Sequence, residues 1–490
     1  MNGFNETIAL SLISHTNAGK TTLARTLLGR DVGEVRDAPH VTTEAARHTL
    51  IDTPEGDVLV LWDTPGFSDS ARLARRLAGQ GNPIGWFLAQ VWDRFRDQPL
   101  YLSQRAVRNI RDDADVVLYL VNASEAPADA GYLGPELDVL AWVGRPVLVL
   151  LNQTGRPRPR SEEEAEQSRW REAIGTRPFI HGVLTLDAFA RCWVQEIVLL
   201  RALATALSHA KRAAYDRLVA KWQARRNAQF EASMAVLAGP IVHAASDKVT
   251  LPNVGLKDTL HAYVRAVVAG PKANGDKHQA VRELAERLDA GARASTDRLI
   301  EIHGIEGRAA DEVRERVIER VHTDAPLHEG KAAMIGGVLS GAVAGLKADL
   351  VAGGLTFGAG TLVGALAGAA GGAGLARGIN VLRGRTDTEV HWDDELLEQL
   401  VAAALLRYLA VAHFGRGRGE WEESEYPPFW RDVVQQVVDA RRASLAALWA
   451  RRTDAATIEP QARVILKEAA RAVLDSLYPG ALADSAVISQ

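Results

Sequence analysis

Cysteine is nearly absent from this chain, whose 490 residues include only Cys192. A single cysteine excludes a disulfide framework and a thiolate metal cluster, and it suits a reducing cytosol. An excess of one charge is missing too, because 57 Lys and Arg residues stand against 61 Asp and Glu residues, a net charge of −4. This balance argues against nucleic acid as a partner. The first residues, MNGFNETIALSLIS, lack a basic region, so we expect a first strand of a cytoplasmic chain rather than a signal peptide.

Short apolar runs alternate with helical stretches through roughly the first 200 residues. Such alternation is typical of βα units around a mostly parallel sheet. Gly56 and Asp57 form a turn signal between the second and third runs, which predicts an antiparallel hairpin at that point. The predicted strands are Thr7–Ile13, Thr49–Asp52, Val58–Trp62, Val116–Val121, Val147–Leu151 and Gly182–Leu186.

The first predicted strand leads into the segment SHTNAGKTTL, where Gly19, Lys20 and Thr21 stand at a strand-to-helix turn. In a loop of this kind, backbone N–H groups and the helix N-terminus bind phosphate. The lysine reaches the β- and γ-phosphates, and the threonine holds Mg²⁺. Loops of this kind usually have Gly or Ala five residues before the glycine that corresponds to Gly19. Ser14 occupies that position and is small enough to let the loop close. The predicted nucleotide-binding residues of this loop are Ser14, Asn17, Ala18, Gly19, Lys20, Thr21 and Thr22.

Two further segments complete a predicted phosphate site. Asp63 ends an apolar strand in LVLWDTPGF, where a carboxylate can hold Mg²⁺ through water, and Gly66 can offer its amide to the γ-phosphate. In PHVTTE, Thr43, with Thr42 as the second choice, can bind Mg²⁺ and the γ-phosphate and so order its loop. The alternative for this threonine is the cap of a short helix. We therefore predict catalytic roles for Lys20, Thr43 and Gly66, and Mg²⁺ ligands at Thr21, Thr43 and Asp63.

Together these motifs resemble the translation-factor class of GTPases, specifically the TrmE–Era–EngA branch. The residues that carry the resemblance are Ser14-x-x-Asn17-Ala-Gly-Lys-Thr21, Thr42-Thr43 and Asp63-Thr-Pro-Gly66, and it covers roughly residues 5–205. It implies a GTPase fold with GTP or GDP and Mg²⁺ as ligands. Beyond that range the chain looks like a group of bacterial Era-like GTPases with an uncharacterised helical C-terminal domain, a match that brings no known activity.

The resemblance also predicts where the base is bound. Such enzymes have Asn-Lys-x-Asp after the fifth strand, whereas this chain has Asn152, Gln153, Thr154 and Gly155. Asn152 can still contact the guanine edge and brace the phosphate loop, and the stem of Gln153 can cover the base plane. Gly155 cannot accept hydrogen bonds from guanine, so we expect a weakened preference for GTP over ATP. Asp187 is the candidate replacement, although it can equally cap the following helix.

Hydrolysis is expected to be slow. Ras-type enzymes place a water-orienting glutamine directly after Asp-x-x-Gly, and Phe67 stands there in this chain. Asn17 matches the position at which TrmE-like relatives bind K⁺, so a K⁺ site is a candidate, with a purely loop-stabilising amide as the alternative. Such a mechanism implies that G domains pair, which makes a homodimer a candidate partner. A predicted helix over 84–96, IGWFLAQVWDRFR, either packs on this domain or forms a nucleotide-sensitive contact.

From about Leu207 the pattern becomes helical, and we predict a helix over Asp432–Arg452 after a loop over 420–430. The basic run 209–230 is either a lipid- or RNA-binding face or, as is more usual, a solvated helix face. Residues 350–376 carry no charge, and glycines recur there and just before at four-residue spacing. Such ladders allow close helix packing in membranes, but alanine and glycine are weakly apolar. A membrane-associated hairpin and a packed hairpin in a soluble bundle both remain open. The two ladders are Gly337, Gly341, Gly345 and Gly360, Gly364, Gly368, Gly372.

The predicted architecture is an α/β P-loop G domain with a mostly parallel, doubly wound sheet, followed by an all-α region containing a glycine-zipper helical hairpin. The predicted boundaries are 1–206 for the G domain, 207–330 and 386–490 for the two helical parts, and 331–385 for the hairpin. The predicted function is a Mg²⁺-dependent GTPase switch in the cytoplasm, held at the inner membrane through lipid or a membrane protein. The alternatives are a dynamin-like membrane-remodelling GTPase and an Era-like ribosome-assembly GTPase.

Overall fold

The structure is a computed structural model. The chain folds into two compact units. The first unit comprises Met1–Ala228, Ala412–Phe429 and Leu477–Gln490, and the second comprises Gln229–Val411 and Trp430–Ser476. Within these units the structure describes residues 5–16, 18–29, 45–78, 98–154, 160–186, 192–252, 276–305, 379–383, 387–413, 428–452 and 454–482.

The first unit is built on a six-stranded sheet. Its strands are β1 (Thr7–Ser14), β2 (Ala46–Asp52), β3 (Val58–Asp63), β4 (Val116–Asn122), β5 (Val147–Asn152) and β6 (Ile180–Thr185). They lie in the order β2-β3-β1-β4-β5-β6, and every neighbouring pair is parallel except β2 with β3. The α/β class with a mostly parallel sheet is therefore confirmed.

Helices connect these strands. They are α1 (Lys20–Leu28), α2 (Ser70–Ala78), α3 (Gln98–Asp113), α4 (Leu133–Val143), α5 (Arg160–Ile174) and α6 (Trp193–Ala206). A long helix, α7 (Arg212–Ser246), follows a short 3-10 turn at His209–Lys211. The predicted hairpin is confirmed, since β2 and β3 pair antiparallel across a turn in which Gly56 has φ of 90°.

Side chains on successive strand residues enter two different hydrophobic cores. Leu118 and Leu120 of β4 face the core that α1, α6 and the start of α7 cover. Val117 and Val121 face the core that α2, α3, α4 and α5 cover. This alternation follows from the two-residue period of a strand, and because both faces are covered, the central strands are apolar throughout. Helices on both faces hold the sheet in place. The carboxyl ends of its parallel strands all lie at the same edge of the sheet.

Two ionic contacts attach α7 and the turn before it to the opposite edge of the sheet, and a third joins α7 to α6. Lys211 Nζ lies 2.8 Å from both carboxylate oxygens of Asp115, just before β4. Arg217 Nε donates to Asp57, just before β3, at 2.6 Å, and this hydrogen bond is the main cause that lowers the pKa of Asp57.

The third contact is the most buried. Glu196 of α6 is 4% exposed and accepts hydrogen bonds from Trp222 Nε1 at 2.8 Å and from Arg226 Nη2 at 2.6 Å. A buried carboxylate is tolerated when such donors replace the lost water.

The second unit is mainly helical, as expected. Besides the later part of α7, it contains α8 (Asp276–Ile302), α9 (Asp394–Ala412), α10 (Pro428–Asp439), α11 (Arg442–Trp449) and α12 (Ala455–Leu477). A small antiparallel sheet, which the sequence analysis does not predict, accompanies the helices. Its strands are β7 (Lys248–Pro252), β8 (Ile379–Arg383) and β9 (Asp387–Trp392), in the order β7-β9-β8.

The prediction of one helix over Asp432–Arg452 is wrong, because the chain turns at Ala440 and Arg441 between α10 and α11. The Arg441 guanidinium donates to the backbone oxygens of Val437 and Glu468, both at 3.1 Å. The first of these bonds satisfies a carbonyl near the end of α10, which otherwise lacks an intrahelical partner. Pro428 to Trp430 of the predicted loop belong to α10, whose first residue is a proline that suits a helix start.

Several predicted features lie outside the described residues. They are the helix over 84–96, the hairpin of 331–385 except for residues 379–383, and residues 420–427 of the predicted loop. Residues 379–383 form the strand β8 and not part of a helical hairpin. Within the part of the chain that the structure describes, no helix combines the length and the apolar character needed to cross a membrane. The glycine-zipper hairpin therefore stays a prediction.

We predict that Glu196→Gln destabilises the first unit. The substitution preserves shape but removes the charge that binds Trp222 and Arg226, and hydrogen bonds to charged groups contribute about 1.5–3 kcal/mol. The expected result is a lower urea midpoint, measured by circular dichroism. Glu172→Gln, at an exposed position of α5, is the control and should leave the midpoint unchanged. Equal midpoints for Glu196→Gln and the wild-type protein would contradict the prediction.

Candidate functional site

A polar site is located at the carboxyl edge of the main sheet, where β1 ends and α1 begins. β1 lies between β3 and β4, so the helices that follow β1 and β4 diverge at this point. Ligands of open α/β sheets are commonly bound at such a position. The residues predicted to bind phosphate, Ser14 to Thr22, span the turn from β1 into α1, although Asn17 lies outside the described residues.

Gly19 has no room for a side chain. Its φ of 84° is in the left-handed region, and a Cβ there would lie 2.6 Å from Asn152 Nδ2. The same Nδ2 donates to the backbone oxygen of Ala18 at 2.8 Å, and Asn152 is fully buried. Asn152, at the end of β5, thus braces the phosphate loop from the side, which is the geometry that the resemblance implies.

Lys20 is the buried cation of the site. Its side chain is directed back along the loop, and Nζ donates to Ser14 Oγ at 3.1 Å. A Cβ at Gly66 would lie 2.8 Å from Nζ, so the glycine backbone directly faces the ammonium. Burial lowers the pKa of Lys20, and the carboxylates of Asp63 and Glu136 act against this shift.

Thr21 and Asp63 form the predicted metal-binding pair. Thr21 Oγ1 donates to Asp63 Oδ2 at 2.8 Å, whereas the buried Oδ1 has no hydrogen-bond partner among the described residues. Burial raises the pKa of Asp63, and the charge of Lys20 together with the Thr21 hydrogen bond opposes this shift. A carboxylate oxygen without a partner beside a hydroxyl suits Mg²⁺, which prefers oxygen ligands and keeps several waters. The described residues hold no cluster of three or more acidic, His or Cys ligands. These two residues therefore fit Mg²⁺ bound together with phosphate.

Phe67 does not enter the site. Its side chain is fully buried in the core between α2, α3 and the sheet. Its backbone N–H donates to the Ser14 oxygen at 2.8 Å, and its backbone oxygen accepts from Thr16 Oγ1 at 3.1 Å. The segment after Asp63 is thus attached to the phosphate loop through the backbone, and the aromatic ring has a packing role.

The base side of the site is only partly described. Gln153 has φ of 57°, the only non-glycine residue with positive φ among the described residues. Strained backbone of this kind is concentrated at functional sites. Three residues predicted to bind nucleotide or metal lie outside the described residues, and so does the glycine that replaces the usual aspartate: Asn17, Thr43, Asp187 and Gly155.

The sequence analysis missed a polar cluster beneath the phosphate loop. His15 Nδ1 lies 2.7 Å from Glu136 Oε1, and Tyr119 OH lies 2.8 Å from Glu136 Oε2. The His15 ring also stacks on Tyr132, with ring centroids 4.3 Å apart. A sequence signal exists, because Glu136 shares the helix face of Leu133 and Leu140, where an apolar residue is expected.

Comparisons with known proteins agree with this reading of the fold. Residues 10–153 match the family model described as 50S ribosome-binding GTPase. This match, together with the sheet topology and the phosphate loop, identifies a P-loop GTPase domain. A search of curated proteins finds no match.

Similar solved structures include Era in complex with MgGDPNP and 16S ribosomal RNA nucleotides. Its TM-score is 0.31 at 13% identity, covering 61% of this chain and 90% of that one. Aquifex aeolicus Era bound to GDP·AlF4− has a TM-score of 0.31 at 12% identity, covering 59% and 89%. Toc33 from Arabidopsis thaliana in complex with GDP and Mg²⁺ has a TM-score of 0.24 at 15% identity, covering 38% and 73%.

A second family model covers most of the rest of the chain. It matches residues 172–475, which is well over half of the protein, and includes the later part of the sheet unit and nearly all of the helical unit. The chain therefore belongs to the family described as Domain of unknown function (DUF3482), and it carries a P-loop GTPase domain ahead of that region.

Proposed function

We propose that this protein is a Mg²⁺-dependent switch that binds and hydrolyses GTP. The observation that supports this most is the convergence of Lys20, Thr21, Asp63 and Gly66 at one edge of the sheet, with Asn152 bracing the loop between them. A GTPase family model matches the same part of the chain. Each of these groups has a separate role toward the nucleotide.

In the proposed mechanism, the loop amides and the Lys20 ammonium bind the β- and γ-phosphates. Lys20 is buried, so its charge interacts with phosphate oxygens at low local dielectric, where the interaction is strong. Thr21 and Asp63 would hold a Mg²⁺, and that ion would neutralise charge on the phosphates. The Gly66 amide binds the γ-phosphate, and Thr43 completes the metal and phosphate contacts.

Hydrolysis by this domain is expected to be slow. The residue after Gly66 orients water in Ras-type enzymes, and Phe67 is instead part of the core. The K⁺ site at Asn17, and the pairing of G domains that it implies, stay predictions from the sequence. The proposed Era-like assignment rests on the sequence motifs around Lys20, Thr43 and Asp63.

Guanine recognition is proposed to be weakened. Asn152 contacts the guanine edge and Gln153 covers the base, while Gly155 supplies no acceptor for guanine N1 and N2. Asp187 is the first candidate to replace that acceptor.

Lys20→Ala is expected to abolish nucleotide binding. The phosphate loop loses its only fixed charge on the β- and γ-oxygens, and two charged hydrogen bonds correspond to a loss of affinity of about 100-fold or more. Isothermal titration calorimetry with GTP and Mg²⁺ measures this loss. Lys221→Ala, at an exposed position of α7, is the control and should bind like the wild-type protein. Unchanged affinity in Lys20→Ala would place the phosphate site elsewhere.

Gly155→Asp is expected to raise the preference for GTP over ATP. The carboxylate restores an acceptor for guanine N1 and N2, a charged hydrogen bond that contributes about 1.5–3 kcal/mol, or roughly 10- to 100-fold. The Kd values for GTP and ATP in the variant and the wild-type protein give the ratio. Gly155→Asn adds an uncharged acceptor and should produce a smaller gain. A wild-type ratio that already equals that of ordinary GTPases, with no gain in the variant, would mean that another residue supplies the acceptor.

We further propose that the switch is membrane-associated through the glycine-rich segment 331–385. The support is the sequence alone. A stretch of 27 residues, Leu350 to Ala376, has no charge, and one glycine ladder lies within it and another just before it. The span is long enough for a membrane helix, which needs about 20 apolar residues.

Wild-type protein is therefore expected to float with anionic liposomes in a density gradient. The measurement is made without nucleotide, with GDP and with a non-hydrolysable GTP analogue. A variant with Gly364 and Gly368 replaced by leucine separates the helices and should change flotation or oligomeric state while nucleotide binding persists. Wild-type protein that stays at the bottom of the gradient in all three conditions would contradict membrane association.

A further inference from the structure

A carboxylate is buried directly beneath the phosphate loop. Glu136 of α4 is fully buried, and both of its oxygens accept hydrogen bonds. His15 Nδ1 lies 2.7 Å from Oε1, where an ionised carboxylate makes the ring nitrogen the donor, and the Tyr119 hydroxyl of β4 donates to Oε2. Two donors on the two oxygens suit the ionised carboxylate, which only accepts hydrogen bonds.

For stability alone, an apolar residue would be expected at position 136. Glu136 lies among Leu133, Leu137 and Leu140 of its own helix, all of which are buried. Burial raises the pKa of Glu136, and the hydrogen bond from His15 is the first of several contacts that oppose the shift. Buried ionic groups are often no more stabilising than well-packed apolar ones. A role other than stability therefore accounts better for this carboxylate.

His15 is the part of the cluster that belongs to the phosphate loop. Its side chain is 34% exposed, and its ring is held by Glu136 on one edge and by stacking on Tyr132 across its face. Its backbone forms a bridge to Phe67, next to the Ser14 oxygen that accepts from the Phe67 N–H. The first turn of the loop is thus fixed on one side by α4 and on the other by the segment that follows Asp63.

We propose that Glu136 is a positioning residue for the phosphate loop: through His15 it fixes the turn that presents the loop amides to the nucleotide phosphates. The inference rests on the proposed GTP-binding function and extends it to a residue on another helix. Glu136 acts through His15 and touches no substrate.

Four variants test the proposal: His15→Ala, Glu136→Gln, the double variant, and Tyr119→Phe as the matched control. Tyr119→Phe removes the hydrogen bond from the Tyr119 hydroxyl to Glu136, and it leaves the contact between Glu136 and His15 in place. Thermal midpoints are recorded, and the Kd for mant-GDP and mant-GTP is measured well below every midpoint. A purely structural role would lower midpoints in all variants and leave the Kd unchanged.

We expect His15→Ala and Glu136→Gln each to weaken nucleotide binding about tenfold, which lies in the usual range of coupling between two sites. The double variant should be no weaker than either single variant, because both remove the same contact. Tyr119→Phe should lower the midpoint and change the Kd less than about twofold. His15→Asn, whose amide nitrogen occupies the place of Nδ1, should recover most of the affinity.

If His15→Ala binds nucleotide as tightly as the wild-type protein, the proposal is wrong. It is also wrong if Tyr119→Phe raises the Kd as much as Glu136→Gln does. Additive losses in the double variant would also overturn it, because two independent contacts would then be responsible. Failure of the proposed function has a different signature, since the wild-type protein itself would bind neither nucleotide, and both inferences would then fall. His15→Ala replaces a partly exposed side chain, so a folded variant is expected for the measurement.

Discussion

The buried ammonium of Lys20 is the constraint on which the rest of the site depends. A cation without water needs negative charge and acceptors close by. Asp63 and Glu136 supply the charge, and the Ser14 hydroxyl supplies an acceptor at 3.1 Å. Gly66 leaves the space in front of the ammonium open, because any Cβ there would lie 2.8 Å from it. These groups come from β1, β3, α1 and α4, so the charge can be buried only when these elements have packed together.

The phosphate half of the site and most of the first unit could be predicted from sequence because their signals are local. Lys20 and Asp63 belong to short motifs that each follow an apolar strand, and the strands themselves are continuous apolar runs. The contact of Glu136 with His15 joins residues 121 positions apart, and no periodicity reveals such a pairing. The one sequence signal for Glu136 is a charged residue on an otherwise apolar helix face. This signal does not indicate that the carboxylate contacts His15.

The second unit was harder to predict for the same physical reason. The strands β7 and β9 pair across a sequence separation of more than a hundred residues, and each is five or six residues long. Short strands lack a periodic signal that distinguishes them from loops. The turn between α10 and α11 contains no glycine or proline, and it is stabilised by Arg441 reaching the backbone of Glu468. Local propensity favours a continuous helix there, and tertiary contacts decide otherwise.

The two edges of the main sheet have different mechanical roles. At the edge opposite the phosphate loop, Lys211 and Arg217 form ion pairs with residues that directly precede strands. Farther along α7, Arg226 pairs with the buried Glu196 of α6. The start of α7 is thereby fixed to the sheet by charge and packing together. At the phosphate edge, the segment after Asp63 is attached to the loop by two backbone contacts of Phe67, while the Phe67 ring is anchored in the core. In the proposed function, a γ-phosphate bound at the Gly66 amide would lie directly beside these two contacts. The response to nucleotide is therefore expected to begin at Gly66 and pass to α2, while the first turns of α7 stay in place.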